Sequence, residues 1–269
     1  MKQTDWKIEG SGGEVIHGTT HEVDGESSCN LIIAHGFKGY KDYGLFPWLA
    51  NKAAEAGAIT HRFNFSHSGM LAGDGPFERP DLFEVATWNT QVDDLQAVMA
   101  HCTTLELPTI LLGHSRGGVA ILLAAGRGAI TVDHLIPLSA PATCNPLSEK
   151  MQKTMLEQGF IESPSSRTDQ MLRIGRCFLE EQVVDPEGHD LLTLLATVET
   201  PITVIHGEDD ETVLVSAGEE IAKVARNATF TSIHGGNHVF NTPNPFPLDG
   251  APSQQLAEVW RLIAQIIPN

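Results

Sequence analysis

The segment TILLGHSRGGVAILLAAG, from Thr109 to Gly126, restricts the fold more than any other part of the chain. An apolar run ends at Gly113, His114-Ser115-Arg116 follows, and Gly117 and Gly118 open a second apolar run. The first run is short, continuous and bounded by glycine, as in a strand buried on both faces; the second has helical length. A strand that turns at once into a helix puts the residue at the turn in a strained conformation. Only small residues fit two positions before and after it, because the backbones crowd there. Gly113 and Gly117 supply them, in G-x-S-x-G form, so the Ser115 hydroxyl is expected at the top of a sheet, beside a helix N-terminus that favours negative charge. A strand–helix turn with serine as a simple N-cap has the same local pattern, so the serine alone does not define a site.

The rest of the chain repeats this alternation. Short apolar runs occur at 31–35, 59–65, 109–113, 134–139, 202–206 and 229–234. Between them lie helical patterns at 44–57, 87–101, 116–126, 214–226 and 253–267. This order implies an α/β fold with a mostly parallel sheet flanked by helices, and the first thirty residues add antiparallel edge strands. One interval breaks the rhythm. Residues 144–200 show no convincing strand and read as helical pieces (149–158 and 168–182) interrupted by GFIESPSS and DPEG. The expectation is a core built from 1–143 and 201–269, with 144–200 inserted as a helical cap over the carboxyl edge of the sheet, where open α/β sheets bind ligands.

A serine is a weak nucleophile without a base, and the base needs an acid to orient it. For this architecture the order is serine, acid, histidine. ITVIHGEDDETV places Asp209 and Asp210 just past a strand, and SIHGGNHVFN places His234 and His238 in a glycine-rich loop after the last one. Adjacent residues leaving a strand point to opposite sides, so only one of the two aspartates can reach the histidine. His234 and His238 are spaced as HxxxH, but the glycines between them argue against the helix that would make them a metal pair.

Four stretches together resemble the α/β-hydrolase superfamily: AHGFKGYKD (34–42), RFNFSHSGM (62–70), GHSRGG (113–118), and HGEDDETV (206–213) with GGNHVF (235–240). The chain is most similar there to small bacterial carboxylesterases of the cinnamoyl/feruloyl-esterase and dienelactone-hydrolase-like type. That resemblance implies an α/β-hydrolase fold and a serine esterase acting on short-chain or aromatic acyl esters through an acyl-enzyme. It implies Ser115 as nucleophile, Asp210 as acid with Asp209 its rival, and His238 as base. The backbone N–H groups of Phe37 and Arg116 become the oxyanion hole, and His35 and His114 structural hydrogen-bonding groups. Thioesterase, acyltransferase, peptidase and carbon–carbon hydrolase chemistry would use the same residues, and a non-catalytic ligand binder could share the fold. RFNFSHSGM departs from the family's Asp-containing pattern, with Asn64 in place of the acid and Ser66 and Ser68 in place of glycines. His67 in that stretch is expected to be a satisfied structural histidine, with contact to substrate as the alternative reading.

Composition limits the partners. The chain of 269 residues carries 17 Lys and Arg against 34 Asp and Glu, a net charge of −17, which disfavours nucleic acid and anionic membranes. The expected partner is a small-molecule ester, with the chain a monomer or homodimer. Cys29, Cys102, Cys144 and Cys177 form no CxxC pair and suit neither zinc nor a disulfide frame. GxGxxG and GxxxxGK[ST] are absent after the first strand, so no nucleotide site is expected. No cofactor or metal is expected. The N-terminal stretch lacks an apolar signal region, and no apolar run could span a bilayer, so the expected location is cytoplasmic.

Overall fold

The computed structural model describes residues 1–103 and 106–268. Residues 104, 105 and 269, which the sequence reading places in the core, lie outside the described residues. The chain begins with two edge strands, β1 (Lys2–Glu9) and β2 (Val15–Glu22). The parallel strands that follow are β3 (Cys29–Ala34), β4 (Ala58–Asn64), β5 (Thr109–His114), β6 (His134–Leu138), β9 (Ile202–Gly207) and β10 (Ala228–Ile233). Among the described residues these eight form one sheet in the order β1-β2-β4-β3-β5-β6-β9-β10. β2 pairs antiparallel with both β1 and β4, and every pair from β4 onward is parallel.

Side chains alternate across this sheet and fill two cores. Ile32, Ala34, Leu111, Leu135 and Val204 face one side, where α3 (Trp88–Cys102), α4 (Arg116–Gly126) and α8 (Val215–Val224) cover them. Leu31, Ile33, Ile110, Leu112, Ile136 and Ile205 face the other, under α1 (Leu45–Glu55) and α9 (Gln254–Ala264). Burial on both faces is why these strands read as unbroken apolar runs. Helix ends follow local chemistry: the Thr87 side chain caps α3 and is answered by Thr90, and the Ser253 hydroxyl accepts from the Leu256 amide to start α9. A short helix α2 (Pro80–Glu84), with proline at its first turn, was not expected.

The insertion differs from the all-helical expectation. α5 (Glu149–Gln158) ends on Gly159 at φ 86°, and the chain then forms an antiparallel hairpin of β7 (Phe160–Pro164) and β8 (Met171–Gly175). α6 (Cys177–Val184) and α7 (Leu191–Leu195) follow. Residues 168–175 were read as helix because Met171, Leu172 and Ile174 also fit a helical stripe. In the structure Leu172 is buried between exposed Met171 and Arg173, a period of two set by the packing beneath. Leu172 joins Tyr40, Met70, Phe77 and Phe83 in a small cluster that ties β8 to the loops after β3 and β4. α7 is no part of an overhang: Leu191 and Leu195 belong to the same core as α4.

Several buried imidazoles lead to an expected loss of stability in acid. In β2, His21 Nδ1 lies 2.7 Å from Asn51 Oδ1, and its Nε2 accepts from Arg62 Nε at 2.7 Å, so it is neutral as bonded. Burial, then the Arg62 charge, lowers the His21 pKa to about 4; burial takes His61 to about 4, His35 to about 4 and His114 to about 3. The unfolded value is about 6.5. Between these values the unfolded chain binds more protons, so stability rises with pH through the window and is lost on acidification from about 6.5 to 4. Buried Asp94, raised to about 6, has the opposite slope but is outnumbered. Thermal unfolding is therefore expected to shift to lower temperature between pH 7 and 4.5, less so in His61→Gln; a melting temperature flat across that range contradicts this account.

Candidate active site

Strand register places the candidate residues together. Ala34 pairs with Gly113, and Gly207 with Ile233, so the loops leaving β3, β5, β9 and β10 emerge along one edge of the sheet. Ser115 follows β5 at φ 53° and ψ −120°, in the positive-φ region that strains any residue with a side chain. The turn is held by the Ser115 amide, which donates to the Leu138 carbonyl at 2.8 Å. A side chain on Gly113 would strike the backbone of Gly117, and one on Gly117 would strike the carbonyls of Ala34 and His35. These two approaches are the reason for glycine at both positions. The loop after β3 is equally close: a side chain on Gly36 would come within 3.0 Å of the Ser115 Cβ. Phe37 follows Gly36 in this loop, and the Arg116 amide lies at the first position of α4, where helix N–H groups have no partner within the helix.

Asp210 and His238 meet directly. His238 Nδ1 donates to Asp210 Oδ2 at 2.7 Å, leaving Nε2 as an acceptor. The other carboxylate oxygen accepts from the Thr212 and Val213 amides, both at 2.9 Å. His206 Nε2, which donates to the Val213 carbonyl at 2.9 Å, also lies 3.4 Å from Asp210 Oδ2. Burial by itself would raise the Asp210 pKa, but hydrogen bonds from His206, His238 and the Val213 amide hold it well below the ordinary carboxylate range. Asp209 is exposed, and its amide donates to the Gly236 carbonyl. His234 sits just past β10, paired with Glu208 at 2.9 Å on the surface.

His35 Nδ1 donates to the Gly36 carbonyl at 2.8 Å and Nε2 accepts from the Phe65 amide, which fixes the loop carrying Phe37. His114 Nε2 donates to the His238 carbonyl at 2.7 Å, which fixes the loop carrying the imidazole. The Arg116 side chain points away from the serine. Its guanidinium lies between the Trp88 and Phe178 rings, at 4.9 and 5.0 Å, and donates to Gln91 at 3.0 Å.

Ser115 and His238 line one cavity of about 210 Å³. Their side chains form no hydrogen bond to each other in this state, but both face the same space. Phe37, Tyr43, Phe46 and Val239 supply its apolar wall, and Lys38 with the hairpin turn Pro164–Arg167 forms the rim. The sequence did not single out these rim residues. The turn read as a helix breaker, and nothing in its composition showed that it would reach the serine. His67 lines a separate small cavity of about 20 Å³ and pairs with Ser66 at 2.8 Å. Asn64 accepts from the Lys41 amide at 2.6 Å and donates to the Leu71 carbonyl, tying the loops after β3 and β4 together. Among the described residues no three His, Cys, Asp or Glu side chains gather with metal-binding spacing, and no helix is long and apolar enough to cross a membrane.

An alpha/beta hydrolase family profile matches residues 31–259, and the chain belongs to that family. It is 28% identical over 166 residues to phospholipase YtpA of Bacillus subtilis (strain 168), a match spanning 60% of each chain. Its fold is similar to that of Est1E from Butyrivibrio proteoclasticus, solved with ferulic acid bound: TM-score 0.72, 18% identity, 97% of each chain covered. It is also similar to mouse alpha/beta hydrolase domain-containing protein 10: TM-score 0.73, 19% identity, 98% of each chain covered.

The strain at Ser115 has a measurable consequence. Ser115→Gly is expected to be more stable than Ser115→Ala by about 1 kcal/mol, since only glycine adopts this φ without penalty. Chemical denaturation of the two variants checks it; equal midpoints would show an unstrained turn.

Proposed function

We propose that the protein is a serine hydrolase of carboxylic esters that acts through an acyl-enzyme. The observation that carries this reading is the 2.7 Å Asp210–His238 bond, with its imidazole facing the same cavity as a serine on a strained strand–helix turn. His238 Nε2 takes the Ser115 proton as the hydroxyl attacks the ester carbonyl. Asp210 fixes the tautomer and stabilises the imidazolium without accepting the proton; its depressed pKa suits that role. The Phe37 and Arg116 amides receive the oxyanion. The alcohol departs with the proton from His238, and water activated by the same ring releases the acid.

The cavity volume and its wall of Phe37, Phe46 and Val239 suit a short or single-ring acyl group rather than a long chain. Similarity to a phospholipase and to a protein that binds ferulic acid supports ester chemistry and leaves the natural ester to experiment. The hairpin turn at the rim supports a capping role for part of 144–200. Oligomeric state and cellular location are further parts of the proposal: a monomer or homodimer in the cytoplasm.

Ser115→Ala is expected to abolish labelling by a fluorophosphonate probe and to cut p-nitrophenyl butyrate turnover by several orders of magnitude. Asp210→Asn is expected to lower kcat on the order of 10⁴-fold with the fold retained. Stoichiometric labelling of wild type, lost in Ser115→Ala, checks the nucleophile; near-full activity of either variant rejects the triad.

A further inference from the structure

The charges around the cavity run against those of the whole chain. Acidic residues outnumber basic ones two to one, 34 against 17. Yet the cavity lining includes Lys38 and Arg167 and no carboxylate. Asp210 is behind the His238 ring and fully covered. Asp42, nearby in sequence, is taken up by Lys41 and Arg62.

Lys38 follows directly on Phe37, at φ 57°, and both line the cavity that Ser115 faces. Its ammonium makes one hydrogen bond, to the Pro164 carbonyl at 2.6 Å, and has three to give. Among the described residues no carboxylate lies within ion-pairing distance of it. Partial burial lowers its pKa. Arg167 is occupied differently. Its Nη1 donates to the Asp74 and Gly75 carbonyls at 2.7 and 2.6 Å, and the guanidinium stacks over Tyr40 at 4.6 Å. Its charge is therefore held in place by neutral groups and is not cancelled. Ser166, next to Arg167 in the hairpin turn, also lines the cavity. A half-enclosed space with one under-bonded ammonium, a second fixed cation and a hydroxyl is built to receive an anion.

We propose that the ester this site takes carries an anionic group, carboxylate or phosphate, which pairs with Lys38 at the rim while the ester carbonyl lies at Ser115. The proposal rests on the ester-hydrolase reading above. Lys38 selects the substrate and Arg167 adds to the field; neither touches the reacting atoms. Because Lys38 also bonds the hairpin, an anion there links the loop bearing the Phe37 amide to the insertion.

Matched esters test it. With the anion in the alcohol, 4-carboxyphenyl butyrate is compared with neutral 4-carbamoylphenyl butyrate, and 4-phosphonooxyphenyl butyrate forms the phosphate arm. With the anion in the acyl group, p-nitrophenyl hydrogen adipate is compared with its methyl ester. Each rate is normalised to the ester's hydroxide rate. In at least one arm, kcat/KM for the anionic ester is expected to exceed its neutral partner on the order of tenfold at low salt. The preference should shrink in 0.5 M salt (~4 Å screening length) and fall to about one in Lys38→Gln, mainly through KM. The larger of the carboxylate and phosphate ratios identifies the anion. Neutral esters equal or better in every arm overturn the proposal, and so does an anion preference that survives Lys38→Gln. Calorimetric binding of 4-hydroxybenzoate against 4-hydroxybenzamide to Ser115→Ala needs no turnover. If p-nitrophenyl butyrate is not hydrolysed by wild type but Lys38-dependent benzoate binding persists, the hydrolase reading fails and the anion site stands.

Discussion

The contact on which the site depends is backbone against backbone: Gly117, at the start of α4, pressed against the carbonyls at the end of β3. It brings two strands' loops closer than any side chain would permit. Ser115 is thereby fixed close to Gly36. The strain at Ser115 is sustained by the sheet on both sides of β5, where apolar side chains fill two separate cores. No single hydrogen bond could hold a serine at φ 53°; the helix and three strands do so together.

The second half of the site is electrostatic. Asp210 is buried, and ionisation there would be costly if it were not met by the His238 N–H, two backbone amides, and the His206 N–H 3.4 Å away, which it shares with the Val213 carbonyl. The resulting carboxylate is acceptor-only and rigid, so the His238 ring has one tautomer and one orientation. His114 sets the same ring from the other side through its carbonyl. Two of the histidines that look surplus in the sequence thus hold the one that faces the cavity, His114 through its backbone and His206 through Asp210, while His35 holds the loop bearing Phe37.

Much of this was legible in the sequence, for a physical reason. Strands buried on both faces give continuous apolar runs, and loops at their carboxyl ends give glycine-rich punctuation, so Ser115, Asp210 and His238 each fall at a boundary the pattern marks. Choosing Asp210 over Asp209 needed the family pattern; the structure shows the alternation that separates a buried carboxylate from an exposed one. The insertion was not legible. Its apolar residues satisfy a helical period and a period of two equally well, and the cluster of Tyr40, Phe77, Phe83 and Leu172 decides between them through residues distant in sequence. Asn64 was noted as a departure, but that it joins two loops by bonds to backbone is visible only in three dimensions.

These two classes of feature have different consequences for specificity. The groups that the sequence marks, Ser115, Asp210 and His238, lie on the turn after β5 and in the loops after β9 and β10, and each of the proposed chemistries would use the same three. The rim is assembled from pieces whose positions depend on each other: the loop after β3 offers Lys38, the hairpin offers Pro164 to bind it, and Arg167 is held by backbone from the loop after β4. These bonds join three loops into one rim. A chain with twice as many acids as bases nonetheless lines this cavity with Lys38 and Arg167 and no carboxylate, so the local charge is set by the arrangement of the loops and not by the overall composition.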